Sequence, residues 1–192
     1  MNDTTIPPTP VLIGMRLALR PLRASDSDDL YAVHSDPRVM RYWSHPPWTR
    51  REQANERIAQ LERDREHSEF YTWAIALADD RLVGTVSLFA LNRTQHRAEI
   101  GYALGSREWN RGYATEAVRL AIAHAFDTIG LSRLEADIDP RNEPSCRLVE
   151  RIGFRREGLL RQRWHVAGEI TDSAIYGLLR DEYVAPRNTR TS

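Results

Sequence analysis

The chemistry in this sequence concentrates in one run, Glu99-Ile-Gly-Tyr-Ala-Leu-Gly-Ser-Arg-Glu-Trp-Asn-Arg-Gly-Tyr-Ala-Thr-Glu-Ala117. It reads as a strand, a turn, a glycine and then an amphipathic helix. The first N–H groups of a helix lack internal partners and carry partial positive charge, so a phosphate can bind there on backbone donors alone. Gly112 leaves that approach open, and Ala114 keeps it small. Arg107 and Arg111 add charge suited to phosphate contacts. The competing reading is that Gly112 only makes a turn. No Gly-Lys-Ser/Thr follows, so the run is not a Walker A loop. Gly101, Gly105 and Gly112 are also mis-spaced for the dinucleotide fingerprint.

Strand alternation puts Glu99, Gly101 and Ala103 on one face, away from Ile100, Tyr102 and Leu104. Glu99 is therefore a carboxylate beside a groove of small residues; pairing with Arg97 or plain exposure is the alternative. A second centre is Asn142-Glu-Pro-Ser145, where Asn142 suits a helix N-cap and Pro144 the first turn. A nucleophilic role for Cys146 needs a base and a lowered pKa. No histidine lies near it in sequence, so a buried thiol is the better reading. The six histidines show no metal spacing, and no metal is expected.

These groups need elements to position them. A period-two pattern predicts a strand over 16–22, followed by a short helix from Ser25 and Asp26 that stops before Pro37. Residues 41–48 read as an aromatic, proline-broken loop carrying Tyr42, Trp43 and Trp48. A polar helix over 51–65 follows. Strands over 71–77, 82–91 and 98–104 are joined by short turns, which favours an antiparallel meander. A helix over 112–128 carries a broad apolar stripe from Ala114 to Phe126. A strand over 134–138, a helix over 142–152 and a hairpin over 154–166 and 169–178 complete the order. The fold class is mixed α/β, one domain over 1–192, with helices on both faces of the sheet.

Composition narrows the function. The chain has 192 residues, 41% hydrophobic and 28% charged, with 27 basic and 27 acidic side chains. Zero net charge gives no general pull toward nucleic acid or anionic lipid. A single cysteine makes no internal disulfide, residues 1–10 lack the plan of a signal peptide, and no run has transmembrane length. The expectation is a cytoplasmic protein, away from nucleic acid and membrane.

Arg111-Gly-Tyr-Ala-Thr-Glu-Ala117 after Glu99-Ile-Gly-Tyr102 resembles the acyl-CoA-binding motif of the GNAT acetyltransferases. Asn142 to Phe154 resembles that family's second motif. Arg20-Pro-Leu-Arg23 with Asp26, and the segment around Glu157, Gly158, Asp172 and Tyr176, resemble the RimJ/RimL branch, which includes enzymes acetylating ribosomal-protein N-termini. The resemblance spans roughly residues 15 to 183.

That resemblance implies a GNAT fold with a splayed, mostly antiparallel sheet and acetyl-CoA as cofactor. The third meander strand and the strand over 134–138 would part to admit the pantetheine arm. Backbone groups of Tyr102, Ala103 and Leu104 would face it. Arg107, Arg111, Gly112, Tyr113, Ala114 and Thr115 would take the pyrophosphate, and Asn142 and Ser145 would also contact the cofactor. Trp109 departs from the motif, whose usual residue there is Arg or Gln.

Direct transfer to an amine needs a base, for which Glu99 is the candidate, acting through a water. Many family members carry a tyrosine acid where this chain has Val149; Ser145 is the nearby hydroxyl and the candidate acid. By analogy, Tyr42, Trp43 and Trp48 would border the acceptor pocket. The acceptor is a protein N-terminal α-amine or a small amine such as a polyamine or aminoglycoside, and the protein a monomer or homodimer. A silent acyl-CoA-binding module and another nucleotide-binding α/β domain are the competing readings; short-turned strands over 71–104 oppose the latter.

Overall fold

The computed structural model describes residues 9–63 and 70–184. Eight strands form one sheet: β1 (Leu12–Ile13), β2 (Leu17–Pro21), β3 (Tyr71–Leu77), β4 (Leu82–Asn92), β5 (Arg97–Leu104), β6 (Arg133–Ile138), β7 (Arg155–Val166) and β8 (Glu169–Leu179). Their spatial order is β1-β2-β3-β4-β5-β6-β8-β7. Every neighbouring pair is antiparallel except β5 and β6.

Apolar alternation determines which face each strand buries. In β3, Trp73 and Ile75 join the larger core while Ala74 joins the smaller one on the opposite face. The larger core is closed by α4 (Tyr113–Ala123) and α5 (Glu143–Ile152). Ala117, Val118, Ala121 and Ile122 of α4 fall at helical spacing and are fully buried. The smaller core is closed by α1 (Ser27–His34), α2 (Pro37–Met40) and α3 (Glu52–Arg63), through Leu30, Val33, Met40, Ala54 and Ile58. Helices thus cover both faces, as the sequence led one to expect.

Three local features differ from the sequence reading. β1 adds two residues at the sheet edge, too few for a recognisable alternation. Pro37 does not merely stop α1; it opens α2, because Asp36 accepts a hydrogen bond from the Arg38 N–H and the proline ring suits a first turn. The helix expected over 112–128 ends as α4 at Ala123 and continues as one π turn, His124–Thr128. The expected end of the helix over 51–65 and the outer tails lie outside the described residues. Pro10 is held, since its carbonyl accepts from Trp73 Nε1 at 2.8 Å.

The motif Arg20 to Asp26 serves the frame. Arg20 makes a two-pronged contact with Asp26, both bonds 2.8 Å, with each side chain only 5% exposed. Asp80, in the β3–β4 turn, also accepts from Arg20. Among the described residues, no helix is long and apolar enough to cross a membrane.

Candidate active site

The site begins where β5 and β6 stop pairing. Their parallel ladder has three rungs, Arg97↔Arg133, Ala98↔Leu134 and Glu99↔Glu135. Beyond Glu99, β5 stays with β4 alone. Gly105 N–H donates to the Val83 carbonyl at 2.8 Å, so antiparallel alternation turns the peptide groups of Ala103 and Gly101 toward Thr85 and Ser87. The peptide groups of Tyr102 and Leu104 face the gap. The backbone of Ala103, expected to face a cofactor, is thus committed to the sheet. The Leu104 carbonyl is also occupied: Trp109 Nε1 donates to it at 2.8 Å.

The N-terminus of α4 presents bare amides to the same region. The first intrahelical bond runs from Glu116 N to Gly112 O, and no side chain caps the helix. The N–H groups of Tyr113, Ala114 and Thr115 therefore have no partner among the described residues. Gly112 adopts φ +79°, a left-handed conformation that glycine takes without strain. A Cβ added there would lie 3.3 Å from Arg16 Nη2. Arg16 was not legible as part of this region. It donates to Glu116 and to the Arg111 carbonyl, both at 2.8 Å, and lies 5.0 Å over the Tyr113 ring. Arg111 pairs with Glu108, and Arg107 is exposed. Free amides, a glycine and guanidinium groups are what a pyrophosphate needs, so these residues fit coenzyme A.

The gap opens into a cleft of ≈ 890 Å³ lined by Glu99, Gly101 and Tyr102 of β5, Asp137 and Asp139 of and after β6, and Asn142 and Ser145. Asn142 accepts from Ser145 N at 3.3 Å and so caps α5; both residues also line the cleft. Ser145 Oγ lies 2.7 Å from the Tyr102 hydroxyl. Burial pushes that phenol up to about 12, against the pull of its Ser145 hydrogen bond.

The Glu99 carboxyl has no hydrogen bond or ion pair among the described residues. Arg97, its alternative partner, is taken by Glu135 at 3.2 Å. Burial raises the Glu99 pKa, and the charges of Asp137 and Glu135 raise it further, with Arg163 and Arg97 opposing. A half-buried carboxyl raised in this way, in a cleft, has the character of a proton acceptor.

The far wall carries Tyr42 and Trp43 from the loop after α2, and Arg163, Trp164 and Glu169 from the β7–β8 hairpin. Tyr42 sits between Arg41 and Arg141, whose guanidinium carbons are 5.3 and 5.8 Å from its ring centre. Trp48 does not line the cleft. It stacks on buried His34, ring centres 4.4 Å apart, because its backbone N–H is tied to the His34 carbonyl at 2.9 Å. Burial first, and then the nearby charges of His45 and Arg57, hold His34 near a pKa of about 4. Trp164 escaped the sequence reading, since β7 is exposed along most of its length and shows no burial alternation. Its indole and Ser173 Oγ both donate to Asp137.

A sheet parted beside a bare helix N-terminus, with a raised carboxyl at the parting, can hold a phosphate-bearing carrier beside a proton acceptor. Residues 16–155 match the acetyltransferase (GNAT) domain. The N-acetyltransferase p20 of Bacillus licheniformis, itself uncharacterized, is 34% identical over 169 residues, 88% of this chain and 95% of that protein. The spermidine N(1)-acetyltransferase of Escherichia coli is 25% identical over 171 residues, 89% and 90% of the two chains. The solved RimJ of Mycobacterium smegmatis, in complex with CoA-disulfide, shares the fold with a TM-score of 0.81 at 24% identity, over 91% of this chain and 89% of its own. The chain belongs to the GNAT acetyltransferase family. It is an acetyl-CoA-dependent N-acetyltransferase that carries an acetyl group to an amine.

Proposed function

We propose that the acceptor is the α-amine of a peptide N-terminus, with Glu99 as the base and Ser145 as the acid. The observation that carries the acceptor is the charge pairing in the cleft. Four carboxylates line it among the described residues: Glu99, Asp137, Asp139 and Glu169. Asp137 is met by Arg163 at 3.6 Å, and Asp139 and Glu169 are both held by Arg141. Only Glu99 lacks a guanidinium. A polyamine calls for several unneutralised carboxylates, one for each ammonium it buries. A peptide brings one amine and an otherwise neutral backbone, which this cleft suits.

The division of labour follows. Acetyl-CoA supplies an activated thioester, so the protein's part is placement and proton handling. Tyr102 and Leu104 line the arm of the carrier along the β5 edge, and the amides of Tyr113 to Thr115, with Arg107 and Arg111, hold its pyrophosphate. Glu99 takes a proton from the ammonium through a water, freeing the nitrogen lone pair to attack. An α-amine has a pKa of about 7.7–8.0 and is partly neutral already, whereas lysine sits near about 10.4. A carboxyl raised only by burial and two neighbours suits the former. Ser145 would give its hydroxyl proton to the leaving sulfur and recover one from the nitrogen, which sheds its second proton as the amide forms.

Thiol release measured with N-terminal peptides, the same peptides blocked at the α-amine, and spermidine tests the acceptor. Turnover is expected on free peptides alone. Turnover on spermidine with none on any peptide would overturn it.

A further inference from the structure

The hydroxyls of Tyr102 and Ser145 lie 2.7 Å apart, and a bond of that length needs one donor and one acceptor. The phenol is the stronger acid and the alkyl hydroxyl the stronger base, so the shared hydrogen sits on tyrosine. Among the described residues, the phenol's only other acceptor, the Ser145 carbonyl, is 3.5 Å away. Ser145 thus spends a lone pair on Tyr102 and keeps its own hydrogen. That hydrogen has no acceptor among the described residues, and Ser145 lines the cleft.

We propose that Tyr102 is a positioning residue for the acetyl transfer: its phenol donates to Ser145 Oγ and turns the serine O–H toward the leaving sulfur. The inference rests on Ser145 being the proton donor. Two consequences favour it chemically. A hydrogen bond accepted by the serine oxygen stabilises negative charge developing there as it gives up its proton. The contact is also fixed before substrate arrives, because the Tyr102 ring packs against the larger core and Ser145 is tethered through its N–H to Asn142. Burial keeps the phenol protonated well above neutral pH, so it remains a donor across the working range.

Tyr102→Phe keeps the ring and removes the hydroxyl. With acetyl-CoA and an acceptor peptide, kcat is expected to fall about tenfold while the KM for acetyl-CoA changes less than about twofold. In a Ser145→Ala background, itself slowed, the same substitution is expected to change kcat less than about twofold, because its effect passes through the serine. Unchanged kcat in Tyr102→Phe, or losses that multiply in the double variant, would overturn the role of Tyr102 alone. Unchanged kcat in Ser145→Ala would overturn the serine reading and this inference with it. A fluorinated tyrosine at position 102, folded and full-sized, gives a second readout. Its phenol ionises at lower pH, so the alkaline limb of kcat should move down; an unmoved limb would contradict the proposal.

Discussion

Glu99 and Glu135 face each other across the last rung of the parallel ladder, and the sheet parts immediately beyond them. Two carboxylates at one rung, with Asp137 two residues further along β6, form a cluster of like charge. Glu135 is relieved by Arg97 and Arg133, at 3.2 and 2.7 Å. Glu99 is not, and its raised pKa records first its burial and then Asp137 and Glu135.

This makes Glu99 costly to stability. A carboxyl raised in the folded state favours folding while protonated, and that contribution is lost as pH rises through the folded pKa. At neutral pH the charged form therefore destabilises the fold. Glu99→Gln is expected to raise Tm at about pH 7, with the gain vanishing near about pH 4, where free carboxyls protonate. Thermal unfolding at the two values checks it; a lower Tm at neutral pH would mean that Glu99 has a stabilising partner.

Gly112→Ala tests the phosphate end. The left-handed backbone costs a residue with a Cβ roughly 1–2 kcal/mol and that Cβ crowds Arg16, so relief of the strain is expected to shift the first turn of α4 and the bare amides it presents. Calorimetry should show acetyl-CoA binding weakened by about tenfold, one decade for ~1.4 kcal/mol. Saturating acetyl-CoA should restore kcat nearly in full.

The Arg20–Asp26 pair is expected to act on folding only. Removing one partner of a buried pair costs ~3–5 kcal/mol. Asp26→Ala also removes an acceptor from the Arg23 N–H, while Asp80 still meets Arg20, so about 3 kcal/mol is expected. Denaturant unfolding measures the loss. The kcat per folded molecule should hold.

Trp43 and Trp48 should separate by phenotype. Trp43 lines the cleft and also packs on His34 and the smaller core, so Trp43→Ala is expected to raise the acceptor KM several-fold, leave the acetyl-CoA KM unchanged and lower Tm as well. Trp48 packs on His34 and the smaller core, so Trp48→Ala is expected to lower Tm with little effect on either KM. Steady-state kinetics paired with thermal unfolding would show the reverse pattern if the loop turned Trp48 inward.

Much of the frame was legible because it rests on local periodicity. Alternation in β5 set Glu99, Gly101 and Ala103 on one face and Ile100, Tyr102 and Leu104 on the other; Glu99 and Gly101 line the cleft, and Ile100 and Tyr102 reach it from the opposite face because it opens through the parted edge of the sheet. The stripe on α4 and the helix stops at Gly130 and Gly153, both with positive φ, follow from short-range rules. What was missed depends on distant contacts. Tyr102 and Ser145 are 43 residues apart and meet only because α5 returns beside the parted edge of β5. Arg16 reaches Glu116 across a separation of 100 residues. Trp48 looked equivalent to Trp43 in composition, and only the backbone bond to His34 takes it away from the cleft. In the Asp36-Pro37 pair, a proline that opens a turn looks the same as one that ends a helix.

The base at Glu99 is the claim on which the mechanism turns, and the pH dependence of kcat/KM for Glu99→Gln against the unaltered enzyme, with an N-terminal peptide as acceptor, tests it most directly. The loss is expected to reach about 10²-fold or more below the pKa of the acceptor amine, and to shrink above it, where the amine is neutral without help. A loss of equal size at every pH would contradict base action and leave Glu99 a group that only positions the substrate.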